Sequence, residues 1–306
     1  MHAAGQPPTR AIWRVTSTGR ADHHSAGAGR GWAFIDLAAL GRNTAWNYAA
    51  TVLAVVAAPI AFLAIAFAAI FLATARRLLT DDAASVVVLA AAFVSVIVAG
   101  VVLAWRVARG HRRPWMSLIS PDLRLDWRRL AIGAGVEGAL LLIFLGFARV
   151  LSGRPVAPGP GMGLPALALI MLLVPFQAAS EEMLFRGYLT QALGRVLRRR
   201  GIIAAIVGIV FAALHFDAYG ALTMPYLFGL SVLYSIVSLR DERLELTIGA
   251  HAATNWFGVS MSDALDIGRG GEQLSWAAVA LLVVNGVLFY VATRLLVRLC
   301  AADRPR

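Results

Sequence analysis

Lysine is absent from this 306-residue chain, cysteine occurs once, and only 15% of the residues are charged. Soluble domains carry about a quarter charged residues. With 59% hydrophobic residues and a mean hydropathy of +0.72, the composition excludes an ordinary water-soluble protein. The lone Cys300 excludes an intrachain disulfide and reads as a packing thiol. Residues 1–30, rich in Gly, Ala, Arg and His, hold no apolar core of the signal-peptide kind. The apolar runs lack the alternation of barrel strands, so closed β-barrels are excluded as well. The formal charge of +11 comes without a basic stripe of interleaved aromatics, which gives no nucleic-acid partner.

What the chain does have is long apolar runs, enough to cross a hydrocarbon layer of about 30 Å repeatedly. They predict an all-α, polytopic membrane helix bundle of about eight transmembrane helices. The spans run from Ala45 to Ala75, Ala84 to Ala104, Leu130 to Val150, Pro165 to Leu197, Ile202 to Phe216, Leu222 to Leu239, Leu246 to Val259 and Leu274 to Val297. Before them, residues 1–43 read as a flexible basic tail, with Trp32, Phe34, Ile35 and Leu37 suited to an interfacial helix. Residues 44–150 hold the first three helices and a basic linker, 105–130, which is placed at the cytoplasmic headgroups. A Pro155, Pro158 and Pro160 loop breaks the chain before the fourth helix. On this topology 22 arginines fall on the side of both termini and 5 on the other. Both termini are therefore expected in the cytoplasm.

Ionisable groups inside such spans are costly and commonly functional. Glu181 and Glu182 lie in the fourth, followed by Arg186; His215 ends the fifth; His251 and Asn255 lie in the seventh. Glu182 and Arg186 are one helical turn apart with the acid first, the favourable order for a pair. Glu181, rotated by about 100° from its neighbour, is free to point elsewhere. Counting at 1.5 Å per residue puts Glu181 and His215 about 21 to 23 Å from their cytoplasmic ends, but His251 only about 12 Å from Arg243. A bend at Pro175 or a sunken start of the seventh helix would reconcile these depths. Three helices, the fourth, fifth and seventh, are thus expected to enclose one polar site. Among other polar residues, Glu137 is read as reaching the interface, Asn285 as bonding a neighbouring helix, and Asp217 as near the outer surface. His23 and His24 form too incomplete a set to bind metal.

The Glu-Glu-x-x-x-Arg, Phe-x-x-x-His and His-x-x-x-Asn patterns, in this order on successive helices, resemble the CPBP group (CAAX proteases and bacteriocin-processing enzymes, also called Abi), which includes the type II CAAX prenyl endopeptidases. The resemblance covers about residues 165–260 as a catalytic core, with 274–306 forming a last helix and tail. Gly187, Gly229, Ile248 and Ala252 also look like family positions, and Pro121 to Arg129 resembles the family linker. It implies an intramembrane endopeptidase, in the cytoplasmic membrane of a bacterium, that cleaves a membrane-associated protein or peptide. Glu181 would be the general base, holding the attacking water with His215. His251 and Asn255 would stabilise the oxyanion, and Glu182 with Arg186 would brace the helix. Desolvation strengthens a carboxylate as a base, and fixed donors act strongly in a dry pocket.

The family is often labelled metalloprotease, and Glu181, His215 and His251 could supply three ligands to zinc. The absence of His-Glu-x-x-His and the donor character of Asn255 favour a metal-free mechanism without a cofactor, with zinc as the alternative. A plain reading also stands: Glu182 and Arg186 as a structural ion pair, and the histidines as hydrogen-bonded core residues. The competing functions are a non-proteolytic scaffold or immunity-type protein of the same fold, and a proton-relaying transporter. The lack of a two-half hydropathy repeat counts against the transporter.

Overall fold

A computed structural model describes residues 12–15, 21–24, 32–152, 164–197, 199–216, 223–261 and 276–302. Within the stretch read as a tail, β1 (Ile12–Val15) pairs antiparallel with β2 (Ala21–His24), with Ile12 opposite His24. The rest is helical: α1 (Trp32–Asp36), α2 (Ala45–Ala75), α3 (Asp81–Arg109), α4 (Trp127–Ser152) and α5 (Leu164–Glu182). After α5 the helix continues through a π-helical segment (Met183–Leu189) into a last turn, α6 (Thr190–Leu193). Then come α7 (Arg200–Ala213), α8 (Met224–Asp241), α9 (Glu245–Met261) and α10 (Trp276–Ala302). The Pro155 to Pro160 loop and Asp217 lie outside the described residues.

Among the described residues, four helices are long and apolar enough to cross a membrane: Ala45–Ala75, Ala83–Arg109, Trp127–Phe147 and Leu167–Leu193. The protein is an integral membrane protein. Helix α2 shows the consequence for side chains. Leu53, Ile60, Ile65 and Phe71 are exposed along it, where acyl chains accept them at no cost. Thr51, which is buried, returns its hydroxyl hydrogen to Asn47 O at 2.7 Å, so this hydroxyl is not left unpaired. Thr44 and Thr80 start α2 and α3 by accepting the Asn47 and Ala83 amide hydrogens, the usual role of a hydroxyl at a helix N-terminus.

With lipid as the solvent, helices associate through close backbone packing. The tightest case joins α4 and α9. A Cβ placed on Gly249 would strike Leu130 O and Ala134 N of α4, and one on Gly133 would strike Leu246 O of α9. Helix α9 also packs on α5 and α8, and this makes it the centre of the bundle. Its first turn is sunk in protein: Leu244, Glu245, Leu246 and Thr247 are fully buried, and the Leu244 amide donates to Ile119 O at 3.0 Å. The start of α9 is thus sunk into the protein, one of the two arrangements expected from the shallow count for His251.

Two expectations about the polar flanks change. The segment read as interfacial is docked into the protein, with Phe34 and Leu37 packed among Leu103, Val107 and Leu118, and Ile35 against Phe185 and Ile203. The basic linker is likewise only partly at the surface. His111 and Arg113 are buried, and the Arg113 guanidinium donates to Gln191 Oε1 at 2.7 Å. Burial pulls the Arg113 pKa down to about 10, so it stays charged at neutral pH. Burial also holds His111 below its usual range, while its ring nitrogens meet Arg42 O at 2.9 Å and the Tyr188 hydroxyl at 3.1 Å.

Candidate active site

The last turn of α5 carries Gln177, Glu181 and Glu182 on faces that look toward α9. The π-helical segment begins at the next residue, Met183. Wider turns of this kind are uncommon and favour functional sites. Here the segment is held by Thr190, whose hydroxyl donates to Phe185 O at 3.0 Å, and by Gly187, where a Cβ would press to 2.8 Å from Leu118 O. The uninterrupted α-helix expected through this region is thus locally rewound just past the carboxylates.

Glu182 is fully buried and organises the charged half of the site. Its Oε1 accepts from the Arg186 guanidinium at 2.8 Å and from His251 Nδ1 at 2.9 Å. The first contact is the one-turn pair read from the spacing; the second links α5 to α9. Arg186, 1% exposed, lays its guanidinium 4.6 Å from the Phe211 ring centre and 5.5 Å from that of Tyr234. A buried cation is thereby neutralised on one edge and cushioned by π-faces on the others.

The other ring nitrogen of His251, Nε2, faces Glu181 Oε2 at 3.4 Å, an ion-pair distance. That oxygen is buried and accepts no hydrogen bond among the described residues. The other oxygen, Glu181 Oε1, is locked: Gln177 Nε2 donates to it at 2.6 Å, and Asn255 Nδ2 donates to Gln177 Oε1 at 2.8 Å. Asn255 therefore reaches Glu181 through an amide bridge, and its second amide hydrogen is not used in that bridge.

His215 flanks this cluster at the end of α7. Its Nδ1 donates to Phe211 O at 2.7 Å, which leaves Nε2 as the acceptor, and its ring lies 4.4 Å from Phe211. Phe211 in turn stands 6.2 Å from the His251 ring. Glu181, Glu182, Arg186, His251 and Asn255 are joined by contacts of hydrogen-bond or ion-pair length, and His215 abuts the aromatic wall they share. Among the described residues, no three of His, Cys, Asp and Glu stand together as a metal-ligand group.

Gln177 was not anticipated, although its spacing of one turn from Glu181 placed it on the same face. A second buried network was read only in part: Asn285 bonds a neighbouring helix as expected. Glu137, 2% exposed, does not reach the interface; it accepts from Asn285 Nδ2 at 2.8 Å and from the Thr254 hydroxyl at 3.3 Å. The Tyr234 hydroxyl lies 3.3 Å from Thr254 Oγ1, so α4, α8, α9 and α10 meet behind the His251 ring.

Residues 163–257 match the Rce1-like family of type II CAAX prenyl endopeptidases. The matched segment holds Gln177 and all six residues singled out from the sequence; Glu137 and Asn285 fall outside it. The chain is also 33% identical over 159 residues to the uncharacterized protein YyaK of Bacillus subtilis (strain 168), an alignment covering 48% of this chain and 52% of that protein. The chain thus spans about half the length of the curated relative it matches.

Proposed function

We propose that the protein is an intramembrane endopeptidase in which Glu181 activates water to hydrolyse a peptide bond of a membrane-associated protein or peptide. The observation that carries this reading is the state of Glu181: one carboxylate oxygen fixed by Gln177, the other buried, without a hydrogen bond and facing His251 at 3.4 Å. A carboxylate poised as a base keeps an oxygen for the water it deprotonates.

In the proposed reaction, Glu181 Oε2 takes a proton from water as the water oxygen bonds to the peptide carbonyl carbon. The second Asn255 amide hydrogen, with His251, stabilises the oxyanion, and the His215 Nε2 lone pair orients the water. Glu181 then returns the proton to the departing amine as the C–N bond breaks. Glu182 fixes the His251 ring and neutralises Arg186. No metal enters the scheme, and the eight-span arrangement with cytoplasmic termini is part of the same proposal.

The test compares wild type and Glu181→Gln, purified and in cells. Peptides accumulating uncut only in Glu181→Gln cells, and cleaved by wild-type protein in micelles, support the reading. Equal cleavage by both proteins removes Glu181 as base. Equal complementation of the cellular role by wild type, Glu181→Gln and His215→Ala would replace the enzyme by a scaffold. One tightly held zinc per active chain, with activity lost on its removal, would overturn the metal-free route.

A further inference from the structure

Away from the carboxylates, a cavity of about 500 Å³ opens where the connector before α4 meets the starts of α4 and α9 and the end of α10. We propose that it seats the phosphate headgroup of an anionic phospholipid. This inference does not depend on the catalytic reading.

Four arginines line the cavity, and they fall into two classes. Arg129 is paired with Asp241 and with Asp126, and Arg243 with Asp122 at 2.8 Å and Glu245 at 3.3 Å. These pairs fix the walls. Arg124 and Arg128 are exposed and form no ion pair among the described residues. Arg124 and Arg128 thus add two guanidiniums without ion pairs to a cavity in whose walls Arg129 and Arg243 meet four carboxylates. The first-turn amides of α4 do not compete for an anion, because Asp126 Oδ1 accepts from the Arg128 and Arg129 amides at 3.1 and 3.2 Å.

The other lining identifies the kind of anion. Ile132 of α4 and Val297 of α10 form an apolar side, and Trp127, 71% exposed, stands at the rim. Trp127 is also the first residue of a helix long and apolar enough to cross the bilayer, which sets this ring at headgroup depth. A soluble phosphate has no use for that apolar side. A phospholipid does, since its phosphate meets the two arginines while its glycerol and upper acyl carbons lie against Ile132 and Val297. Guanidinium forks suit phosphate oxygens, and the volume falls within the range of small-molecule sites.

The experiment uses the full chain in neutral micelles, with thermal stability and native mass spectrometry as readouts. Phosphatidylglycerol, phosphatidylcholine and inorganic phosphate are the probes. Phosphatidylglycerol should bind and raise the melting temperature, phosphatidylcholine should bind far more weakly, and phosphate alone should have little effect. Arg124→Gln/Arg128→Gln should melt normally without lipid and bind phosphatidylglycerol about thirty-fold more weakly, from the usual contribution of each arginine at an anionic surface. The control Arg109→Gln/Arg112→Gln removes the same charge from exposed positions outside the cavity and should keep tight binding. Equal losses in both double variants would mean diffuse surface attraction, and stabilisation by phosphate equal to that by the lipid would mean a soluble anion. Either result overturns the proposal, as does undiminished binding by Arg124→Gln/Arg128→Gln.

Discussion

Substitution of Glu182 by glutamine removes one charge from a pair whose members are 0% and 1% exposed. Glutamine retains an oxygen for His251, so the main loss is the counter-charge of Arg186. That guanidinium already has Nε and one terminal nitrogen without hydrogen-bond partners, and the Phe211 and Tyr234 faces recover only about 1–2 kcal/mol for a desolvated cation. Stranding one member of a buried pair costs about 3–5 kcal/mol. Removing both charges as Glu182→Leu/Arg186→Met leaves only the His251 Nδ1 hydrogen unsatisfied, a cost of about 1–3 kcal/mol. The double variant should thus be more stable than Glu182→Gln even though it changes more atoms. Reversible unfolding in mixed micelles, run as a cycle with the corresponding single substitutions, measures the coupling, which should exceed about 2 kcal/mol. A Glu182→Gln cost below about 1 kcal/mol, or effects that add within about 0.5 kcal/mol, would refute the reasoning that this carboxylate neutralises Arg186.

Gln177→Leu deletes the bridge from Asn255 to Glu181, and kcat should fall by about 10- to 100-fold, as for other groups that orient a reacting residue, with a stability loss of only about 1–3 kcal/mol; steady-state kinetics on a peptide identified with Glu181→Gln separates the two. Gly249→Ala sets a methyl against the α4 backbone and should cost about 1–3 kcal/mol in the same unfolding assay, whereas Gly229→Ala, where a Cβ meets nothing within 4 Å, should be tolerated. His111 has its pKa lowered from 6.5 chiefly by burial, so the folded state binds its proton less readily than the unfolded one. Its stabilising contribution is complete above pH 6.5 and is lost as pH falls toward the depressed folded value; His111→Gln should flatten that part of the stability profile.

The parts legible in the sequence are those fixed by local geometry. Apolar runs located α2 within a single helix span because every backbone group in lipid must find its partner inside the segment. The Glu182 and Arg186 contact followed from one turn of spacing, and Gln177 with Glu181 obeyed the same rule, though only the charged pair drew notice. Glu137 was misplaced because its eight-residue distance from Arg129 measures depth along α4 without saying which neighbours surround it. Asn285 and Thr254, far away in sequence, close over it. His251 looked too shallow for the opposite reason: depth was counted from Arg243, while the protein buries the start of α9.

By itself, then, the sequence determined that the chain enters the membrane, where most of its helices run, and which side chains within them are ionisable. Tertiary structure alone decided that Glu182 holds His251, that Asn255 reaches Glu181 through Gln177, and that the second Glu181 oxygen lies against His251. Periodicity specifies a face of one helix, but an acid–base site is made by atoms about 3 Å apart on different helices. Those distances are set by how α5 packs against α9.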